Sequence, residues 1–205
     1  MRLYLVRHPE TTFNADSNRY CGRTDAGLSP RGNQQSRSVA EYFLTQDFHG
    51  VWCSPLTRSL DTATVLGRQK GVPVHVEPGF IEMDFGLWEG LTPQEIEARD
   101  PQLWRQWRAG DPAAAPPGGE SLEQVFNRTM VGLEKLTSVL GADDSGVVIG
   151  HNMINRLLLT HIVGIPYHRY RTFHQDNGSI TCVERGTETA MWIVRFMNLT
   201  PERKG

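Results

Sequence analysis

Short apolar runs alternate along the chain with longer segments in which apolar residues recur every three or four positions. Residues 3–6 and 146–149 are uninterrupted runs of apolar or small residues, as expected for strands of a parallel sheet covered on both faces. Residues 49–54 form a similar run. Residues 122–140 instead place Leu, Val, Phe and Met at three- and four-residue steps, which predicts a helix with one buried face.

Helix starts are marked by capping residues and prolines. Ser29 precedes a proline, so it is expected to cap a helix that begins at residue 30. Thr92 and Ser121 each stand three residues before a Glu or Gln, the capping-box pattern. Pro55 is expected to open another helix, and a further helix is predicted over residues 152–162.

The order of these elements predicts the fold class. Strands alternating with helices favour an α/β fold, here a three-layer α/β/α sandwich with a mostly parallel central sheet and an antiparallel edge strand. Two strand-like runs, residues 179–184 and 191–198, resemble a hairpin separated by residues 185–187. Residues 84–119 combine tryptophans with a Pro/Gly/Ala-rich stretch, so we expect a helical, lid-like excursion from a single domain over residues 1–205.

Composition and charge exclude several classes of function. With 21 Lys and Arg against 23 Asp and Glu, the net charge of −2 gives no footprint for nucleic acid. No apolar run reaches 18 residues, so no membrane segment is expected. The apolar run at the start of the chain is too short for a signal peptide, which favours a cytoplasmic location. Three scattered cysteines suggest neither disulfides nor a thiolate zinc site.

Chemically similar side chains follow three of the predicted strands. Arg7 and His8 follow the first strand, Arg58 comes shortly after the second, and His151 follows a third. Ligands of parallel α/β sheets bind at the carboxyl ends of the strands, so these four side chains are expected to converge. Two arginines suit a phosphoryl group, and a neutral imidazole can attack phosphorus. The cluster therefore predicts phosphoryl transfer that needs no metal and no cofactor.

The motifs resemble the histidine phosphatase superfamily, the phosphoglycerate-mutase-like group. The resemblance covers roughly residues 1–180 and involves several blocks in the same order. These blocks are Arg7-His8-Pro9-Glu10-Thr11 with Asn14 and Gly22, Leu28-Ser29-Pro30-Arg31-Gly32, Ser54-Pro55-Leu56-x-Arg58, Glu82-Met83-Asp84-Phe85-Gly86-x-Trp88-Glu89-Gly90, Pro117-Gly118-Gly119-Glu120-Ser121 and Gly150-His151-Asn152. The block around Glu82 is similar to the phosphatase branch, which includes α-ribazole phosphatase and broad-specificity phosphatases.

The resemblance implies a role for each matching position. His8 would accept the phosphoryl group, Glu82 would exchange a proton with the leaving group and with water, and the pocket would be completed by Arg7, Arg58, His151, Asn14 and the backbone near Cys21 and Gly22. Two positions depart from the usual pattern. Pro9 replaces the usual Gly and removes a backbone donor. Asn152 stands where Gly is commoner and is expected to reshape the mouth of the pocket.

Alternatives stay open at this point. The favoured function is a phosphatase with a small phosphorylated substrate, followed by a cofactor-dependent phosphoglycerate mutase and by a non-catalytic phosphate-binding module. Glu82 could instead be a surface carboxylate, and Trp88, Trp104 and Trp107 favour packing over substrate stacking. No metal-ligand spacing such as H-E-x-x-H occurs. The natural substrate is not readable, and the sequence leaves a homodimer open.

Overall fold

A six-stranded sheet forms the centre of the molecule in the computed structural model, which describes residues 1–15, 19–186 and 191–201. Four strands are mutually parallel, and the last two are each antiparallel to the strand before them in the sheet. The order across the sheet is β3-β2-β4-β1-β5-β6. The strands are β1 (Arg2–Arg7), β2 (Gly50–Cys53), β3 (Val74–Val76), β4 (Ser145–Gly150), β5 (Ile180–Arg185) and β6 (Trp192–Leu199).

Helices connect the strands and cover the sheet. Short 3₁₀ turns occupy Pro78–Phe80, Gly86–Trp88 and Tyr167–Thr172. The α-helices are α1 (Thr12–Ala15), α2 (Pro30–Phe43), α3 (Thr57–Lys70), α4 (Pro93–Arg99), α5 (Pro101–Ala109), α6 (Leu122–Val139) and α7 (Asn152–Val163).

The apolar positions of β1 separate the core into two layers. Leu3 and Leu5 belong to one hydrophobic cluster, which includes the buried faces of α6 and α7. Tyr4 and Val6 belong to the other, which includes residues of α2 and α3. Successive side chains of a strand point to opposite faces, so helices cover both sides of the sheet. The predicted three-layer α/β/α sandwich is confirmed.

Most predicted boundaries agree with the observed elements. Ser29 caps α2 by accepting from the Gly32 backbone N–H at 3.0 Å, and both capping boxes, at Thr92 and Ser121, are formed. Helix α3 begins at Thr57, two residues after the proline expected to open it. The predicted hairpin is present as β5 and β6, although residues 187–190 between them lie outside the described part of the chain.

One feature differs from the sequence prediction. Strand β3 was not predicted, because its three residues are partly or fully exposed and give little apolar signal. The antiparallel edge is formed by the two predicted strands of the hairpin, β5 and β6. Among the described residues, no helix combines the length and apolar character needed to cross a bilayer.

The segment over residues 84–119 contains α4 and α5 and packs on the core. Trp88, Trp104 and Trp107 are all buried and belong to the same hydrophobic cluster as Leu3 and Leu5. The Trp88 indole N–H donates to the Asp100 carboxylate at 2.8 Å, which joins the start of this segment to its helices. The tryptophans therefore act in packing, as favoured from the sequence. Assignment of residues 1–205 to a single domain with a lid stays a prediction.

Candidate active site

The ends of β1 and β4 bring two histidines together. The strands are adjacent and parallel, and their register pairs Arg7 with Gly150. The backbone N–H of His8 donates to the Gly150 carbonyl at 3.0 Å. His8 and His151 therefore leave the sheet side by side, and their ring centroids lie 5.1 Å apart.

A backbone contact determines which nitrogen of His8 carries the proton. His8 Nδ1 lies 2.7 Å from the carbonyl oxygen of Pro9. A carbonyl can only accept, so Nδ1 is the protonated nitrogen and the neutral ring keeps a free lone pair on Nε2. Burial lowers the pKa of His8 well below its ordinary value, and the charges of Arg58 and Arg7 lower it further. The departure at Pro9 thus removes a backbone donor but retains the carbonyl that orients this ring.

His151 is more deeply enclosed than His8. It is fully buried, and neither ring nitrogen has a hydrogen-bond partner among the described residues. Burial lowers the pKa of His151 well below its ordinary value, and the positive charge of Arg58 adds to this effect. The ring is therefore neutral without ligand and retains its hydrogen-bonding capacity for an oxyanion.

Arg58 is fixed by the loop that follows α1. Its guanidinium is fully buried and donates to the carbonyls of Thr24 at 2.9 Å and Gly22 at 2.7 Å. The Glu89 carboxylate holds the same loop by accepting from the backbone N–H of Thr24 at 2.7 Å and from the Thr24 hydroxyl. A Cβ at Gly22 would collide with the Met83 carbonyl and with Glu89. This loop therefore needs glycine at residue 22 to approach the segment that carries Glu82.

Arg7 supplies the second guanidinium at this end of the sheet. It donates to the backbone carbonyl of Gln175 at 2.6 Å. Burial lowers the pKa of Arg7 to about 10, so it stays charged near neutrality. Its Nε is buried without a partner. Arg7 therefore combines a fixed position with unused donor capacity, as an anion-binding arginine requires.

Glu82 is a buried carboxyl rather than a surface carboxylate. It is 5 % exposed and accepts from the backbone N–H of Met83 at 2.9 Å and of Met153 at 3.3 Å. Burial raises the pKa of Glu82, although these two donors and Arg58 oppose the shift. A raised pKa increases the protonated fraction near neutrality, as a general acid requires.

Arg128 holds the backbone around Glu82 in place. Its guanidinium donates to the carbonyls of Gly79 at 2.9 Å, Ile81 at 2.5 Å and Glu82 at 3.1 Å. It also forms a two-pronged pair with the Glu120 carboxylate, with both N–O distances at 2.9 Å. The sequence analysis missed this role, because a single arginine on a helix gives no sign of what it contacts across the fold.

These elements surround a cavity of about 290 Å³. Of the residues expected at the site, six line this cavity: Arg7, His8, Asn14, Cys21, Glu82 and Asn152. Arg58, His151 and Gly22 are not among its lining residues in the described part of the chain. No group of three or more His, Cys, Asp or Glu side chains in the described residues has the arrangement of a metal site.

Three smaller predicted contributors differ in what they offer a ligand. The side-chain oxygen of Asn14 accepts from Thr11 at 3.1 Å and from Asn177 at 3.3 Å, which fixes its amide. The oxygen of Asn152 is buried without a partner. The Cys21 thiol donates to the Thr24 carbonyl at 3.4 Å, and burial raises its pKa, so it is held as a thiol.

Residues 3–200 match the family model of the histidine phosphatase superfamily, branch 1. The chain belongs to this superfamily. The resemblance stated from the motifs is therefore confirmed. Relatives with functional names include phosphatases and probable phosphoglycerate mutases, and the similar solved structures include α-ribazole phosphatases.

Three similar proteins illustrate this relationship. A bifunctional protein of Mycobacterium tuberculosis is 35 % identical over 205 residues, covering 97 % of this chain and 54 % of that protein. Phosphoserine phosphatase 1 of Hydrogenobacter thermophilus is 30 % identical over 200 residues, covering 98 % of this chain and 93 % of that protein. The crystal structure of the α-ribazole phosphatase of Shigella flexneri has a TM-score of 0.87 at 26 % identity, covering 98 % of this chain and 97 % of that chain.

The chain spans about half the length of the first curated relatives that it matches. The family is thus established for residues 3–200, whereas activity and substrate are matters for proposal.

Further residues that the sequence analysis did not assign to the site also line this cavity. Four of them lie within three residues of a predicted site residue: Arg19, Tyr20, Phe85 and Met153. The others lie further away in sequence: Pro93, Trp107, Arg108, Arg156, Tyr170 and Arg171. Arg156 lies on α7, four residues after Asn152, so the two side chains share one face of the helix. This spacing is the one signal in the sequence that could have indicated Arg156.

Proposed function

We propose that this histidine phosphatase hydrolyses small phosphomonoesters by transferring the phosphoryl group first to Nε2 of His8 and then to water. The observation that carries the proposal is the contact between His8 Nδ1 and the Pro9 carbonyl at 2.7 Å. It leaves the lone pair of Nε2 free on a ring that lines the cavity with Arg7 and Glu82. A nucleophile, a cation and a buried acid thus share one small space.

In the first half-reaction, Nε2 of His8 attacks phosphorus and the bond from phosphorus to the ester oxygen breaks. The ester oxygen leaves as an alkoxide and takes a proton from the Glu82 carboxyl. Burial raises the pKa of Glu82 and so favours its protonated form before this step. The products are a phosphohistidine, a free alcohol and a Glu82 carboxylate.

In the second half-reaction, a water molecule attacks the phosphohistidine. The Glu82 carboxylate accepts a proton from this water as its oxygen bonds to phosphorus, and the bond from phosphorus to Nε2 breaks. Inorganic phosphate leaves, and His8 and Glu82 regain their starting protonation states. One carboxyl group therefore serves as acid and then as base.

Arg7, Arg58 and His151 are proposed to bind the phosphoryl oxygens. Phosphoryl transfer depends on positioning and on stabilising negative charge in a loose transition state. Two guanidinium groups supply that charge, so we propose that no metal is needed. His151 has unused hydrogen-bonding capacity, and a bound dianion favours its protonated form. Asn14 and the backbone near Cys21 and Gly22 would add hydrogen bonds in the phosphate pocket, and Asn152 would shape its mouth.

A panel of phosphomonoesters assayed with EDTA between pH 5 and 8 tests the proposal. We expect phosphate release from several members and a loss of at least about 1,000-fold in His8→Ala. His161→Ala is the matched control, because His161 is an exposed histidine in the last turn of α7, and it should keep full activity. Full activity in His8→Ala would show that His8 is not the phosphoryl acceptor. Inhibition by EDTA would contradict metal independence.

The same panel separates the other functions. With 2,3-bisphosphoglycerate present, 2-phosphoglycerate and 3-phosphoglycerate could be interconverted faster than phosphate is released. That result would favour a mutase. Binding of phosphomonoesters without release of phosphate from any of them would favour a binding module. The homodimer and the cytoplasmic location stay predictions from the sequence.

A further inference from the structure

The cavity is far richer in positive charge than one phosphoryl group requires. Among the described residues, its lining contains five arginines and one carboxyl group, that of Glu82. Arg7 belongs to the phosphoryl pocket already described. The other four arginines come from different parts of the chain: Arg19, Arg108, Arg156 and Arg171.

One of these four arginines pairs with a carboxylate of the described residues. Arg19 donates to the Gly90 carbonyl at 2.7 Å and pairs with the Glu95 carboxylate at 3.2 Å. No carboxylate of the described residues lies within ion-pair distance of Arg108, Arg156 or Arg171. These three arginines form what we call the distal arginine cluster.

Aromatic rings hold two members of the cluster. The guanidinium of Arg171 lies 5.4 Å from the ring centroid of Trp107 and 4.8 Å from that of Tyr170. It also donates to the Trp107 backbone carbonyl at 3.4 Å. The guanidinium of Arg108 lies 5.6 Å from the ring centroid of Trp104. Stacked guanidinium groups keep their N–H edges available for a planar anion.

Arg156 has no such support. Its guanidinium makes no hydrogen bond or ion pair within the described residues, and its Nε is buried. Burial lowers the pKa of Arg156, and the charge of Arg171 lowers it further. The Nε atom of Arg171 and the indole Nε1 atom of Trp107 are also buried without a hydrogen-bond partner among the described residues. A partly buried cation and buried donors without acceptors are unfavourable, and an incoming anion would pair with them.

The distal arginine cluster lines the same cavity as Arg7. Arg156 is close enough to Arg7 to lower the pKa of that arginine, and close enough to Arg171 to be affected by it. Arg156 therefore links the two groups of arginines within one cavity of about 290 Å³. That volume is near the lower end of the usual range for small-molecule sites, roughly 300 to 1,000 Å³.

We propose that the substrate carries a second anionic group, a carboxylate or a further phosphate, and that Arg108, Arg156 and Arg171 bind it. The inference rests on the proposed function and adds the substrate class: a small phosphomonoester with a second negative charge. Charge-assisted, two-pronged contacts from guanidinium groups give such a site its affinity.

A matched pair of substrates tests the proposal. 3-Phosphoglycerate and glycerol 3-phosphate have the same carbon skeleton, and a carboxylate in the first replaces a hydroxymethyl group in the second. We expect kcat/KM to be roughly 10- to 100-fold higher for 3-phosphoglycerate, as expected from one to two charge-assisted contacts. Fructose 1,6-bisphosphate against fructose 6-phosphate extends the comparison to a second phosphate.

Variants assign the preference to the cluster. Arg156→Met and Arg108→Met should reduce the ratio of kcat/KM between the two glycerol derivatives by about tenfold or more. Arg105→Met is the control, because Arg105 is an exposed arginine on the same helix, α5, and does not line this cavity. It should leave the ratio unchanged. An equal loss on both substrates in Arg156→Met would show a structural role and overturn the assignment.

Binding measurements keep this test separate from the proposed function. In the His8→Ala protein, calorimetry should show 3-phosphoglycerate binding at least about tenfold more tightly than glycerol 3-phosphate. Phosphate release with equal kcat/KM for the pair would refute the second-anion site and leave the phosphatase proposal intact. No release from any substrate, together with preferential binding of 3-phosphoglycerate, would refute the phosphatase proposal and support the site. Equal binding would refute the site in either case.

Discussion

Replacement of Arg128 by methionine separates the positioning of Glu82 from general stability. Arg128 lies on α6, and its side chain is 20 % exposed. It donates to three backbone carbonyls of residues 79–82 and to the Glu120 carboxylate. Methionine keeps much of the aliphatic volume and removes every one of these donors. The backbone that carries Glu82 would then lose its attachment to α6.

The stability cost follows from the contacts that are lost. Removing one partner of a fully buried pair costs roughly 3 to 5 kcal/mol. The pair here is partly exposed, with Glu120 16 % exposed, so about 3 kcal/mol is a reasonable expectation. For a chain of this size, that corresponds to a fall in Tm of roughly 6 to 12 °C. The protein should therefore remain folded at 20 °C.

The catalytic effect should depend on the leaving group. A displaced Glu82 transfers a proton poorly, and general acid catalysis contributes roughly 10²- to 10⁴-fold. We expect kcat/KM to fall about 100-fold for alkyl phosphates and much less for p-nitrophenyl phosphate, whose leaving group needs little protonation. Glu82→Gln should show the same pattern, and adding Arg128→Met to it should cause little further loss.

Lys135→Met provides the matched control. Lys135 also lies on α6 and pairs with Glu77 at 3.3 Å, next to the turn that leads to Glu82. It should leave the dependence on the leaving group unchanged. If Arg128→Met reduces kcat/KM equally for both types of substrate, or if its effect adds fully to that of Glu82→Gln, the positioning role is refuted.

Three further predictions concern stability and the loop around Arg58. Burial raises the pKa of Glu82, so the stability that the protonated carboxyl contributes is lost as pH rises through that pKa. Glu82→Gln should therefore raise Tm relative to wild type at pH 8 and raise it less at pH 5. An equal rise in Tm at both pH values would contradict the direction of the pKa shift. Gly22→Ala should lower kcat/KM roughly 10- to 100-fold by displacing the carbonyl that holds Arg58; unchanged kinetics would show that the loop tolerates a Cβ. Ser29→Ala should lower the free energy of unfolding by about 1 kcal/mol through loss of the α2 cap. An unaltered Tm would show that the cap does not contribute to stability.

The sequence predicted the framework of the site because strand ends are encoded locally. Apolar runs fixed β1 and β4, and the parallel-sheet rule then placed Arg7, His8 and His151 at a common edge. The capping boxes fixed the starts of α4 and α6 to the residue. These predictions depend on short-range patterns, which the fold preserves.

The distal wall could not be predicted in this way. Arg156, Arg171 and Arg108 lie in α7, a 3₁₀ turn and α5, and a lone arginine on a helix normally faces solvent. Their meeting depends on how the segment over residues 84–119 packs against α7. Trp107 illustrates the same limit, since it packs in the core and also lines the cavity.

The position of the phosphoryl group on His8 is the most direct test of the account. Glu82→Gln protein should accumulate the intermediate from p-nitrophenyl phosphate, because the base for the second half-reaction is absent. After rapid quenching in alkali, NMR of protein labelled with nitrogen-15 in histidine distinguishes the two ring nitrogens. We predict phosphorylation at Nε2 of His8, since Nδ1 donates to the Pro9 carbonyl. A phosphoryl group on Nδ1 of His8, or on a residue other than His8, would contradict the proposed mechanism.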